Sequence, residues 1–206
     1  TGTEYGSADE LQWALAYTRR ALPDTEVLDV VRFGSPPLWR ALNGRFSSEV
    51  QRRFGMSSPC LACHLYVHIA RVPLALWLGG APIITGERDT HDGYIKLSQT
   101  ADSIDAEVRV VERAGIELLV PVRDYSNAQI EELVPGWDPG DRQLSCVHSG
   151  NYRMADGTID YDREAHIRYI NEFYEPVGNA IVDAWLSGDR EPDYVALVGK
   201  LLGCKW

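Results

Sequence analysis

Short β-branched runs alternate with amphipathic runs of helix length along the first two-thirds of this 206-residue chain, and that alternation narrows its possible folds most. Ser7 to Leu22 has helical spacing at Leu11, Ala14, Leu15 and Leu22, with Ser7 as cap and Glu10 completing a capping box. Pro23-Asp24 stops it, and T-E-V-L-D-V-V-R-F (25–33) follows as a buried-type strand. Ser35-Pro36 opens a helical region with apolar residues at 38, 42, 46, 50 and 54, interrupted at Asn43-Gly44. Cys60 to Leu78 reads as a helix kinked at Pro73, and Ala81 to Thr85 as a strand. Ser103 to Arg113 reads as a helix, Ile116 to Val122 as a strand, and Asn127 to Leu133 as a short helix capped by Ser126. Tyr161 to Trp185 is a long amphipathic helix bent at Pro176.

This pattern predicts an α/β fold, a Rossmann-like parallel sheet with helices on both faces, followed by a C-terminal helical extension. The expected boundary separates 1–134 from an extension, 135–206, that carries a Cys146 loop and the long helix. Ligands of such sheets bind beyond the carboxyl ends of the strands. Those ends are Phe33-Gly34-Ser35, Thr85-Gly86-Glu87-Arg88 and Pro121-Val122-Arg123.

The net charge of −10 argues against a surface that coats nucleic acid. Arg32 to Arg71 is nevertheless net +5, which reads as a phosphate patch or as a solvated helix face and leaves tRNA open as a substrate. No apolar run is expected to span a membrane, and the N-terminus lacks a signal-peptide pattern. Four unevenly spaced cysteines (60, 63, 146 and 204) are too few for a disulfide scaffold and suit a cytoplasmic metal or catalytic site.

Cys60-Leu61-Ala62-Cys63-His64 has the spacing of c-type haem attachment. An α/β chain with no indicated axial partner or export argues against haem. A thioredoxin-like dithiol opens a helix after a strand, whereas Ser58-Pro59 precedes this one. At a helix start Cys60 and Cys63 face one side, and His64 and His68 continue that face, read as neighbours of a site rather than ligands. With Cys146 and Cys204, three or four thiolates fit zinc or an iron–sulfur cluster.

The segment C-L-A-C-H-x8-P-L-A-L-W-L-G-G-A-P-I-I-T-G-E-R-D-T-H-D resembles the middle of the PP-loop ATP pyrophosphatases. The resemblance covers roughly 1–134 and implies a nucleotide-binding domain there. It implies an enzyme that adenylates a carbonyl with ATP and Mg²⁺, releases pyrophosphate, and lets sulfur or nitrogen displace AMP. Thiolating members hold a [4Fe–4S] cluster on a Cys-x-x-Cys and a third cysteine, as Cys60, Cys63 and Cys146 would here, with Cys204 as a fourth candidate. The family's phosphate loop is reduced here to Thr1–Ser7, where Gly2 and Ser7 are the matching positions. Nucleotide is then expected among Gly2, Ser7, Gly34, Ser35, Thr85, Gly86 and Arg88. In the polar loop 87–96, Asp89 or Asp92 would hold Mg²⁺ and Lys96 or Arg88 would neutralise a phosphate. The alternatives are a zinc-containing amide or deazapurine-type ligase, or a nucleotide-binding protein that has lost ATP chemistry. Expected partners are ATP and a small molecule or tRNA, with a homodimer open and no membrane.

Overall fold

The computed structural model describes residues 4–7, 9–89, 91, 93–136 and 144–204. Among them the helices are α1 (Glu10–Ala21), α2 (Pro36–Asn43), α3 (Ser47–Phe54), α4 (Pro59–Ile69), α5 (Val72–Trp77), α6 (Ala101–Glu112), α7 (Asn127–Leu133), α8 (Arg163–Tyr169), α9 (Glu175–Leu186) and α10 (Tyr194–Leu202). The strands are two residues each: β1 (Glu4–Tyr5), β2 (Ile83–Ile84), β3 (Leu118–Leu119) and β4 (Ser145–Cys146). β2 and β3 pair in parallel, Ile83 opposite Leu118, and β1 and β4 pair antiparallel, Glu4 opposite Cys146.

The expected Rossmann-like sheet is therefore overturned. The described residues form a mainly helical protein with two separate two-stranded sheets. The decisive difference lies at 25–33, which joins no strand and leaves Leu28, Val31 and Phe33 exposed. A β-branched run becomes a strand only where a neighbour accepts its backbone hydrogen bonds. Here Arg19 takes the Val27 carbonyl at 3.0 Å and the Asp29 carboxylate at 2.8 Å instead.

Several local expectations hold, with physical reasons. Ser35 caps α2, and Ser126 with Gln129 forms a full capping box on α7. Thr100 caps α6 and starts it two residues earlier than expected. α1 begins later than expected: Ser7 Oγ accepts only the Asp9 N–H, at 3.1 Å. The helix expected over 60–78 breaks at Ala70-Arg71, because Pro73 in the first turn of α5 has no N–H to continue α4. Pro176 is accommodated by a π turn, Ile170–Tyr174, in which the Glu175 N–H reaches back to Ile170 O.

One core joins residues from both sides of position 134. Leu38, Phe54, Leu61, Leu65, Ile69 and Val110 pack with Tyr169, Phe173, Tyr174, Val177, Ile181 and Val198. α10, unforeseen in the sequence, seals it through Tyr194, Val198 and Leu202. Pro59–Trp77 is long and apolar enough to cross a membrane, contrary to expectation, yet α4 within it buries Leu61, Leu65 and Ile69 in this core.

α4, α6 and α9 meet at Gly178, where an added Cβ would lie 2.8 Å and 3.0 Å from the Val110 methyls and 3.2 Å from Leu65. Gly178→Ala should destabilise by about 1–2 kcal/mol, since overpacking outweighs the roughly 1 kcal/mol that alanine gains in a helix. In urea the midpoint should fall with the slope unchanged. An unmoved or raised midpoint would show that the contact is slack.

Candidate functional site

Pro59 at the first turn of α4 sets a helix whose successive turns carry Cys60, then Cys63 and His64, then His68. The outer end of this face meets the β1–β4 pair, which delivers Cys146. Cys60 Sγ donates to His148 O at 2.9 Å, and the His148 N–H donates to Cys146 Sγ at 3.4 Å. The His148 ring stacks on Trp39 at 6.2 Å between centroids. Burial pushes the Cys60 and Cys63 thiols up, and the nearby Cys146 adds to both shifts. The Trp39 indole favours a Cys63 thiolate and opposes the rise; its buried Nε1 has no hydrogen-bond partner.

Two turns inward the chemistry changes to imidazole and carboxylate. Glu87, just after β2, lies 3.1 Å from His64 Nδ1 and 3.6 Å from His68 Nε2 through Oε1. Its other oxygen accepts from Gln99 Nε2. Glu107, fully buried in the middle of α6, stands 3.3 Å from His68 Nε2 and accepts the Tyr174 hydroxyl at 2.6 Å. Burial draws His68 down, but Glu107 and Glu87 outweigh it and push its pKa up to about 9. Burial raises Glu87 while His64 and His68 more than reverse this, holding it well below the usual carboxylate range. His64, His68 and Glu107 each offer a donor atom, all within 4.8 Å of one another.

The uncharacterized protein MJ0009 of Methanocaldococcus jannaschii is 35% identical to this chain over 208 aligned positions. The alignment covers 98% of this chain and 74% of that protein. The chain belongs to the MJ0009 family. No protein-family model matches it, and no solved structure does.

In this MJ0009-family chain the expected site residues divide. Cys60, Cys63 and Cys146 share one corner, linked through the His148 backbone and by mutual electrostatic influence, but their sulfurs are not gathered within 4.8 Å of one another as the His64, His68 and Glu107 donors are. Cys204 packs instead against the main core beyond α10, close enough to Arg52 to influence it. Asp89 pairs with Arg123 at 2.7 Å, which also holds Asp105 at 2.6 Å, and it lines a 430 Å³ cleft together with Lys96. Arg88 is tied to Tyr125 O and Asn127 Oδ1. Lys96 is exposed, and burial of its stem with Arg88 alongside lowers its pKa. Gly34 and Ser35 line an 880 Å³ cleft with Arg40, Arg45 and Arg190, whereas Ser7, Thr85, Gly86 and Arg88 do not. Gly2 and Asp92 lie outside the described residues. The basic segment does not form one patch: Arg52 pairs with Glu49, Arg53 with Glu172, and Arg71 is half-buried near Glu87.

The helical fold removes the first objection to haem, but geometry supplies another. His64 is engaged by Glu87, and neither the 880 Å³ cleft nor a 430 Å³ cleft beside Lys96 is lined by Cys60, Cys63 or His64. Sequence reasoning missed Glu107, Tyr174, Trp39 and His148. Only Glu107 left a signal, as a charged residue within the apolar stripe Ile104–Val111 of α6.

Beside that smaller cleft, His166 Nε2 lies 3.0 Å from both Thr100 Oγ1 and Ser103 Oγ, with Tyr161 edge-on to the ring. Burial lowers its pKa to about 4, Asp102 opposing and Arg163 assisting. A depressed histidine binds its proton more readily unfolded, so its contribution is complete above pH ~6.5 and is lost as pH falls towards 4. Replacing His166 by Gln should flatten stability across that window, read as urea midpoints against pH. An unchanged slope would mean that the imidazole does not titrate there.

Proposed function

We propose that the chain is an enzyme built around a thiolate-held metal centre, with Cys60, Cys63 and Cys146 as ligands for zinc or an iron–sulfur cluster. The observation that carries this reading is the approach of Cys146, from β4, to Cys60 and Cys63 of α4, beside a buried Trp39 N–H that favours a Cys63 thiolate and makes no well-formed hydrogen bond as the thiols stand. A neutral thiol leaves that donor unsatisfied, whereas a metal-bound thiolate accepts from it. When bound, zinc would organise the corner or act as a Lewis acid, and a cluster would carry sulfur. The protein's part is to bring Cys146 in on β4, fix the backbone at His148 and shield the sulfurs with Trp39.

The resemblance to ATP pyrophosphatases supplies the reaction class: ATP-dependent activation of a carbonyl oxygen, then displacement by sulfur or nitrogen. The 880 Å³ cleft supports a phosphate-bearing substrate, since the guanidinium groups of Arg40, Arg45 and Arg190 line it. A small molecule or tRNA as acceptor, and a cytoplasmic setting that keeps the thiols reduced, complete the proposal.

Anaerobically purified protein should contain metal, and Cys60→Ser, Cys63→Ser or Cys146→Ser should each lose the thiolate-bound portion while Cys204→Ser keeps it. Equal metal content and spectra across all four variants would sink the thiolate reading. Arg40→Ala should weaken ATP binding about tenfold or more by calorimetry, the scale of one charge-assisted hydrogen bond. Undiminished affinity would place the nucleotide elsewhere.

A further inference from the structure

We propose that His64, His68 and Glu107 bind a second metal ion, a divalent transition metal of the zinc class, separate from the thiol corner. Their donor atoms lie within 4.8 Å of one another, and His68 and Glu107 have no solvent exposure. His68 Nδ1, His68 Nε2 and Glu107 Oε2 are buried without a hydrogen-bond partner, although carboxylate oxygens stand 3.3 Å and 3.6 Å from Nε2. His68 and Glu107 are paired by charge at 3.3 Å, but the contact lacks hydrogen-bond geometry, a weak arrangement for two fully buried polar groups that a divalent cation in place of the Nε2 proton would improve. A cation between them satisfies both.

The surroundings match a metal shell. Two histidines four residues apart on one helical face, joined by a carboxylate from another element, form the nitrogen–oxygen set that suits zinc and excludes the soft metals favoured by thiolates. The remaining oxygens are already held in place. Tyr174 fixes Glu107 Oε1, leaving Oε2 for the ion. Glu87 contacts His64 Nδ1 through Oε1 while Gln99 holds Oε2, which casts it as the outer carboxylate that orients His64, and its 3.6 Å approach to His68 Nε2 sets a further negative charge beside the ion. Three protein ligands leave a fourth position open, the arrangement of reactive rather than purely structural sites. His64, with 29% of its side chain exposed, is the route outward.

Cobalt(II) separates the two centres, because thiolate ligands give intense sulfur-to-metal charge transfer and nitrogen–oxygen ligands give only weak d–d bands. The full chain carrying Cys60→Ser, Cys63→Ser and Cys146→Ser should still take up one equivalent of Co²⁺, with d–d bands and no charge transfer. Glu107→Gln or His64→Ala in that background should abolish uptake, and Gln99→Ala should weaken it roughly 10–100-fold, as loss of an outer-shell partner does. Should the thiol-free chain not fold, the same comparison holds in wild type, where His64→Ala should lower Co²⁺ uptake by one equivalent and spare the charge transfer. No Co²⁺ uptake by the folded thiol-free chain, or equal uptake by the His64 and Glu107 variants, would overturn the site. Loss of charge transfer alone bears on the thiol corner and leaves this one standing.

Discussion

A carboxylate without solvent exposure sits in the middle of α6, and much of the protein is arranged to make that tolerable. An isolated charge there would be prohibitive, so Glu107 must be paired. Its partners come from three directions: His68 from the inner end of α4, Tyr174 from the π turn, and Glu87 through the imidazole they share. The π turn that relieves Pro176 is also the segment that carries the Tyr174 hydroxyl. Local backbone chemistry and the satisfaction of a buried charge thus have one structural solution.

α4 links that interior to the surface. Its outer turn presents sulfur ligands beside Trp39 and His148, its middle turn a part-exposed imidazole, and its inner turn a fully buried one. Soft donors stand near solvent and borderline donors deep in the core, on one helical face. Between them and the loop after β2, Lys96 and Arg153 add positive charge near Glu87.

Local chemistry was legible in the sequence where it depended on neighbours in the chain. The caps Ser35 and Ser126 act over three residues, and the break near Pro73 follows from a missing donor, whereas the Thr100 cap that starts α6 two residues earlier than expected was not read. The parallel pairing of Ile83-Ile84 with Leu118-Leu119 around α6 was implied by strand–helix–strand order. The sheet as a whole was not, because the apolar pattern of 25–33 describes a segment suited to a ladder without saying that one exists. The two-residue gap made it legible that Cys60 and Cys63 share one end of α4, whereas the route by which Cys146 approaches, through the β1–β4 pair and the His148 backbone, was not. The imidazole–carboxylate cluster was only half visible: His64 and His68 share a face by spacing, but their partner Glu107 lies on another helix. The pairing of Asp89 with Arg123 was not visible, because an acid in a polar loop looks the same whether or not an arginine 34 residues away reaches it.

Anomalous diffraction from crystals of the anaerobically purified full chain, collected at the absorption edge of the metal it contains, tests the α4 metal face most directly. The account predicts two separate peaks, one among Cys60, Cys63 and Cys146 and one among His64, His68 and Glu107. Metal-replete crystals with no peak beside either end of α4 would contradict it.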